Sequence, residues 1–271
     1  MAKQKKLNKN LVGAMTLGVM GLSVIVVALI AMNTAKRDPE QLAERAKQAQ
    51  ERGTPEDVGH AQQLYLRAYA INRNSDYLIS ATRCAFQRGD LGNMLQYFNE
   101  GLAYNPDDVK LLEEALGRMW ELRRYFPFDV DMRDRATKML ELKPESTLAL
   151  VCRAVALARM GQAGSRDEAQ AGSDMARAVE LAPNDPRVAM ARAAVELEKV
   201  SQVVAQTAVY EAGGESGRRI REIVDGAIAL LMPAWEADPA DVENAMELAR
   251  LLEANERYIE RLSLLERTAK V

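Results

Sequence analysis

The stretch Ser75 to Asp108, SDYLISATRCAFQRGDLGNMLQYFNEGLAYNPDD, constrains this chain more than any other. Its 34 residues read as one complete helix–turn–helix unit. Leu78, Thr82 and Ala85 fall at helical spacing, and that pattern stops at Gly89-Asp90. Met94, Phe98, Gly101 and Leu102 share a second face that stops at Asn105-Pro106. Gly89 suits the left-handed residue that ends a helix, and Pro106 cannot extend one. A unit this short cannot bury its apolar stripe alone, so it requires neighbours of the same kind.

The neighbours are present on both sides. Upstream, Leu42 and Ala46 precede a Gly53-Thr54-Pro55 turn, and Ala61, Tyr65 and Ala68 follow it before Asn72-Arg73-Asn74. Downstream, a small or flexible residue followed shortly by proline recurs as Met139…Pro144, Ala178…Pro183 and Ala234…Pro239. A glycine after the first helix recurs as Gly53, Gly89 and Gly161. The chain therefore parses into six units: 39–74, 75–108, 109–146, 147–185, 186–240 and 241–271. The third has no turn glycine, and its first helix is expected to run on to Phe126-Pro127. In the fifth, Val188 to about Ala212 suits one long helix, ending in a flexible Gly213–Gly217 segment with Pro233 kinking the helix beyond. The last helix, Tyr258 to Ala269, alternates Glu and Arg with leucines and predicts a polar terminal cap.

This pattern resembles the tetratricopeptide repeat (TPR) family. Within 75–108 the resemblance covers the small and large positions of both helices, the Gly89-Asp90 turn and Pro106; elsewhere it is looser. Position eight of the repeat, usually Gly in the family, is here Thr82, Leu116, Ala154 and Leu248, which implies wider spacing of paired helices. The expected fold is all-α, a TPR-like α-solenoid of about six helical hairpins over 39–271.

A second feature precedes the repeats. Leu11 to Met32 contains no charge over 22 residues. As a helix it would extend about 33 Å, enough to span a hydrocarbon core of about 30 Å. Residues 1–10 form a basic tail with Lys3, Lys5, Lys6 and Lys9, and 33–38 a short linker. The charge bias places the N-terminus in the cytoplasm and the repeats across the membrane. A cleaved signal peptide is the competing reading; its apolar region would be shorter, and Ala31-Met32-Asn33 and Asn33-Thr34-Ala35 are the nearest small-x-small sites. Ala14, Gly18, Gly21 and Ala28 form one small-residue stripe, which would let two such helices approach as a homodimer. Gly and Ala are also simply common in membrane helices.

Residues 11–271 carry a formal charge of −7, and no basic patch of the nucleic-acid-binding kind stands out. Cys84 and Cys152 fall on first helices two units apart, too distant for a disulfide. His60 is the only histidine, so a histidine triad or multi-histidine metal site is excluded within one chain. Met94, Met139 and Met175 fall at core positions of second helices. The sequence shows neither a phosphate-binding loop nor a dinucleotide fingerprint. No enzyme, metal or cofactor function is expected.

By the resemblance, positions two, five, nine, twelve and thirteen of each first helix line a concave protein-binding groove. Ile79, Arg83, Phe86, Trp120, Val151, Val155, Arg159 and Leu197 are its candidate contacts. Aromatic and aliphatic anchors beside arginine suit a protein-binding hot spot, although each single residue could equally pack against the adjacent unit. The family's carboxylate clamp for chaperone tails needs Lys at five and Asn at nine; Ile79/Arg83 and Glu113/Gly117 do not supply it. The chain resembles N-terminally membrane-anchored TPR proteins of the bacterial inner membrane, which implies a scaffold assisting envelope assembly or secretion. Two alternatives stay open: a structural subunit of a membrane complex, using the convex face or the 188–212 helix, and an organellar import receptor with its repeats in the cytosol.

Overall fold

A computed structural model describes residues 38–162, 164–206 and 214–270. The basic tail, the expected anchor at 11–32 and its stripe Ala14, Gly18, Gly21 and Ala28 lie outside the described residues. Among the described residues, no helix is long and apolar enough to cross a membrane, and no strand occurs. The chain divides into two compact units at Pro106–Asp107.

The first unit holds α1 (Pro39–Arg52), α2 (Pro55–Asn72), α3 (Ser75–Gln87) and α4 (Leu91–Tyr104). Each helix opens on a side-chain cap, from Asp38, Thr54, Asn74 and Asp90 respectively, which satisfies N–H groups that have no intrahelical partner. Gly53 and Gly89 take φ of 75° and 71°, the left-handed geometry expected of them. Leu42, Ala46, Val58, Ala61, Leu64, Tyr65, Ala68, Ala81 and Cys84 form its core.

The second unit holds α5 (Val109–Leu122), α6 (Asp129–Leu142), α7 (Thr147–Met160), α8 (Arg166–Leu181), α9 (Pro186–Gln206), α10 (Glu215–Ala237), α11 (Val242–Ala254) and α12 (Tyr258–Thr268). Helix α7 packs against α5, α6, α8 and α9; α10 packs on α9, and α11 on α10 and α12. The recurring prolines act by one mechanism. The residue before proline donates its N–H to the carbonyl of Met139, Ala178 or Ala234, closing the last helical turn. Proline then occupies the second position of a tight turn, closed by Ser146 N–H to Lys143, Asp185 N–H to Ala182 and Asp241 N–H to Asp238 at 3.1–3.2 Å. The residue ending that turn caps the next helix: Ser146 to Ala149, Asp185 to Arg187 and Asp241 to Asn244. Asp108 caps α5 in the same place after Pro106.

Several local expectations change. Helix α5 stops at Leu122, short of Phe126, and the Arg123 guanidinium folds back 2.5 Å from the Trp120 carbonyl to cap the helix end. Gly161 is extended, with φ −77° and ψ 154°; the left-handed glycine of that turn is Gly164. Gly161 is needed for space instead, since a Cβ there would lie 2.8 Å from the Leu157 carbonyl. The long fifth-unit helix is described to Gln206, while Glu215, Ser216 and Gly217, expected in a flexible segment, already belong to α10. Pro233 sits inside α10 on an exposed face, where water can satisfy the carbonyl its missing N–H leaves free. The polar cap is not what α12 provides: Tyr258, Ile259 and Leu262 are exposed, Ile259 by 84%.

The core follows the repeat. Met94, Met139 and Met175 are buried, as are the position-eight residues Thr82, Leu116, Ala154 and Leu248. Thr82 remains satisfied by donating its hydroxyl to the Ile79 carbonyl at 2.7 Å. Cys84 and Cys152 are buried free thiols, pushed up by burial to about 11 and about 12, so neither is a reactive thiolate at neutral pH.

Candidate protein-interaction site

In the first unit the expected contact residues lie on α3. Ile79 is buried, Phe86 half-buried and Arg83 exposed. Behind them a polar chain ties the hairpins together. Arg88 donates to the Gln62 side-chain oxygen at 2.9 Å, and the Gln62 amide donates to the Tyr97 hydroxyl at 3.0 Å. Gly59 lies beside this chain, where an added Cβ would make ordinary contact with the Arg88 guanidinium at 3.5 Å.

The other candidates lie in the second unit, where the first helices of successive hairpins pack side by side. That packing closes three of them to solvent: Trp120 is 3% exposed, Val155 1% and Val151 0%. A ligand reaches Val151 and Val155 only if α5, α7 and α9 part. Leu197 and Arg159 stay half-buried at the edge.

Around Trp120 the structure gathers charges that sequence reasoning did not connect. The Arg123 guanidinium stacks over the Trp120 ring at 3.7 Å and pairs with Glu243 of α11 at 2.9 Å. It also lies 3.9 Å from the Met190 sulfur. Arg124 pairs with Glu247 at 3.1 Å and lies 3.9 Å from Glu243. Arg159 donates to the Arg123 carbonyl at 3.2 Å and lies 3.4 Å from Asp129 and 3.6 Å from Glu198. Three arginines and four carboxylates thus share one patch drawn from α5, α6, α7, α9, α11 and the turn after α5. Burial dominates two titrations within it. It lowers the pKa of Arg123 despite the attraction of Glu243, and it raises that of Glu198 despite Arg159. Only Trp120 and Arg159 of this patch were foreseen as contacts. Arg123 and Glu243 are 120 residues apart, and no local pattern marks such a pair.

The turn after α5 and the first turn of α6 carry an apolar rim. Tyr125 is 70% exposed, Val130 54% and Phe126 40%, and the rings of Phe126 and Phe128 stack at 5.6 Å. This rim follows Arg123 and Arg124 directly in the chain and leads into Asp129 of the charged patch. The sequence signal was present in Tyr125-Phe126-Pro127-Phe128, which was read only as a helix end.

The patch is a set of paired charges around one indole. Each of its arginines faces a carboxylate, and among the described residues no group of three or more His, Cys, Asp or Glu could hold a metal ion.

No protein-family model matches the sequence, and no curated protein matches it either. Solved structures do match. A tetratricopeptide repeat protein from Parabacteroides merdae is 15% identical with a TM-score of 0.57, over 86% of this chain and 79% of that one. The fold is TPR-like. A human IFIT1 dimer with m7Gppp-AAAA matches at 12% identity and a TM-score of 0.56. That match covers 86% of this chain, which spans about half of IFIT1, 50% of its length. At these identities the likeness concerns the fold.

Proposed function

We propose that this chain is a non-enzymatic, membrane-tethered scaffold whose TPR-like hairpins bind partner proteins or extended peptide segments. The observation that carries this reading is the exposed Tyr125–Phe126–Val130 rim beside the Trp120–Arg123 stack. Apolar surface left in water next to aromatic and arginine anchors has the make-up of a protein-binding hot spot. The net negative charge of residues 11–271 argues against a polyanionic ligand such as RNA.

The tether is the charge-free segment 11–32, which would anchor the protein in a bacterial inner membrane with the N-terminus cytoplasmic and the repeats outside. Protease added to sealed membranes should then degrade the repeats only from the extracytoplasmic side; degradation from the cytoplasmic side favours the import-receptor reading. A homodimer through the Gly18 and Gly21 stripe should weaken in the Gly18→Leu and Gly21→Leu variants; unchanged association in a membrane two-hybrid readout removes it.

The binding claim is tested by in-cell crosslinking with mass spectrometry on wild type and a Tyr125→Ser/Phe126→Ser variant. Loss of partner crosslinks is the expected result, and an unchanged partner set refutes the rim as the site. One observation favours a second reading, a permanent subunit of a membrane complex: α12 leaves Tyr258, Ile259 and Leu262 in water. That reading expects stoichiometric co-purification in mild detergent, lost in an Ile259→Glu/Leu262→Glu variant.

A further inference from the structure

Arg123 is held by its own helix and only lightly by its carboxylate. The Trp120 ring and the Trp120 carbonyl fix the guanidinium at 3.7 and 2.5 Å, whatever lies opposite. Opposite it, Glu243 meets a single nitrogen at 2.9 Å and keeps its side chain 37% exposed. The contrast within the same unit is the Arg153–Asp174 pair, where two guanidinium nitrogens grip both carboxylate oxygens at 2.7 and 2.8 Å.

Helix α11 carries one flaw in an otherwise apolar buried face. Asn244, next to Glu243 and on the same helix as buried Ala245, Leu248 and Leu252, is fully buried with no partner for either side-chain polar atom. What α11 offers is geometric. Glu243 and Glu247 stand four residues apart on one helical face, and they meet two consecutive arginines, the first of which is floored by an indole.

We propose that Trp120, Arg123 and Arg124 form a receptor for a helix bearing two carboxylates one turn apart. Helix α11 fills this receptor in cis, and an acidic helical segment of a partner protein binds the second unit by exchanging with it. A partner helix with an apolar residue where α11 has Asn244 avoids that buried, unpaired amide. The proposal rests on the protein-binding reading above and names the chemistry of its partner.

The test uses the full-length protein in detergent and a fluorescein-labelled peptide copying residues 241–256, followed by fluorescence anisotropy. Wild type should bind the peptide weakly. The Glu243→Gln/Glu247→Gln protein, whose receptor is emptied, should bind it roughly tenfold tighter. Raising salt to about 0.5 M should weaken that binding, and a peptide with Gln at both positions should not bind. Because the double variant leaves Arg123 unpaired and could lose its fold, Glu247→Gln alone serves as the second variant, with a smaller gain in affinity. Equal affinity for wild type and the folded variants overturns the proposal, as does equal binding of the Glu and Gln peptides. If this test fails while Tyr125→Ser/Phe126→Ser still abolishes partner crosslinks, the acidic-helix partner is wrong and the protein-binding reading stands.

Discussion

Each of the two compact units is held together internally by its own means. In residues 38–106 the core is built by neighbouring hairpins, and the polar chain Arg88–Gln62–Tyr97 joins α2 to the end of α3 and to α4. In residues 107–270 the first helices of the hairpins are additionally tied by ion pairs, one of which joins residues 120 positions apart. The first unit behaves as a repeat array in which each hairpin needs only the next. The second closes part of its own first-helix face with its own charges, so its binding surface is coupled to its C-terminal hairpin.

Removing a large apolar side chain from the first unit gives the largest expected effect. Phe98 is fully buried, and Phe98→Ala should destabilise by about 3–5 kcal/mol in urea unfolding followed by far-UV circular dichroism. A loss under 1 kcal/mol would mean that apolar packing is not what holds this unit. Next comes the ionic tie of the second unit, where a double-mutant cycle on Arg123→Gln and Glu243→Gln isolates the coupling. A fully buried pair would lose about 3–5 kcal/mol on removal of one partner. Glu243 is partly solvated, so a coupling of about 1–2 kcal/mol is expected, smaller in high salt. Both tryptophans, Trp120 and Trp235, lie in this unit, so tryptophan emission reports on it directly.

A smaller and opposite effect should come from Asn244. Its unpaired amide is buried, so Asn244→Leu should stabilise by about 1 kcal/mol in the same assay. Glu198 gives the smallest effect, and its sign depends on pH. Burial raises its folded pKa above the unfolded value, so its favourable contribution is full below the ordinary glutamate range and is lost as pH rises through the folded pKa. Glu198→Gln imitates the protonated form. It should therefore raise the melting temperature near pH 7, with the gain vanishing towards about pH 4.

These contrasts explain what could be read in advance. The helix boundaries of the first unit were legible because caps, glycines and prolines act within a few residues, as at Asn74, Gly89 and Pro106. The proline turns of the second unit were visible as a spacing, and the structure adds the reason, since the residue after each turn caps the next helix. What escaped was set by distance and by competition. Val151 and Val155 occupy groove positions of the repeat, yet neighbouring first helices pack over them. Helix α5 ends at Leu122 with the Arg123 side chain capping it, a detail that helix propensity does not encode. Glu243 found Arg123 only because the later hairpins bring α11 back to the end of α5.

Protein binding at the surface around Trp120, Arg123 and Tyr125 is the proposal on which the rest depends. In-cell crosslinking with mass spectrometry on wild type and Tyr125→Ser/Phe126→Ser tests it most directly, with circular dichroism confirming that the variant is folded. Partner crosslinks to residues 118–130 are expected in the wild type, with their loss in the variant. The same partners crosslinked at the same positions in both proteins would contradict it.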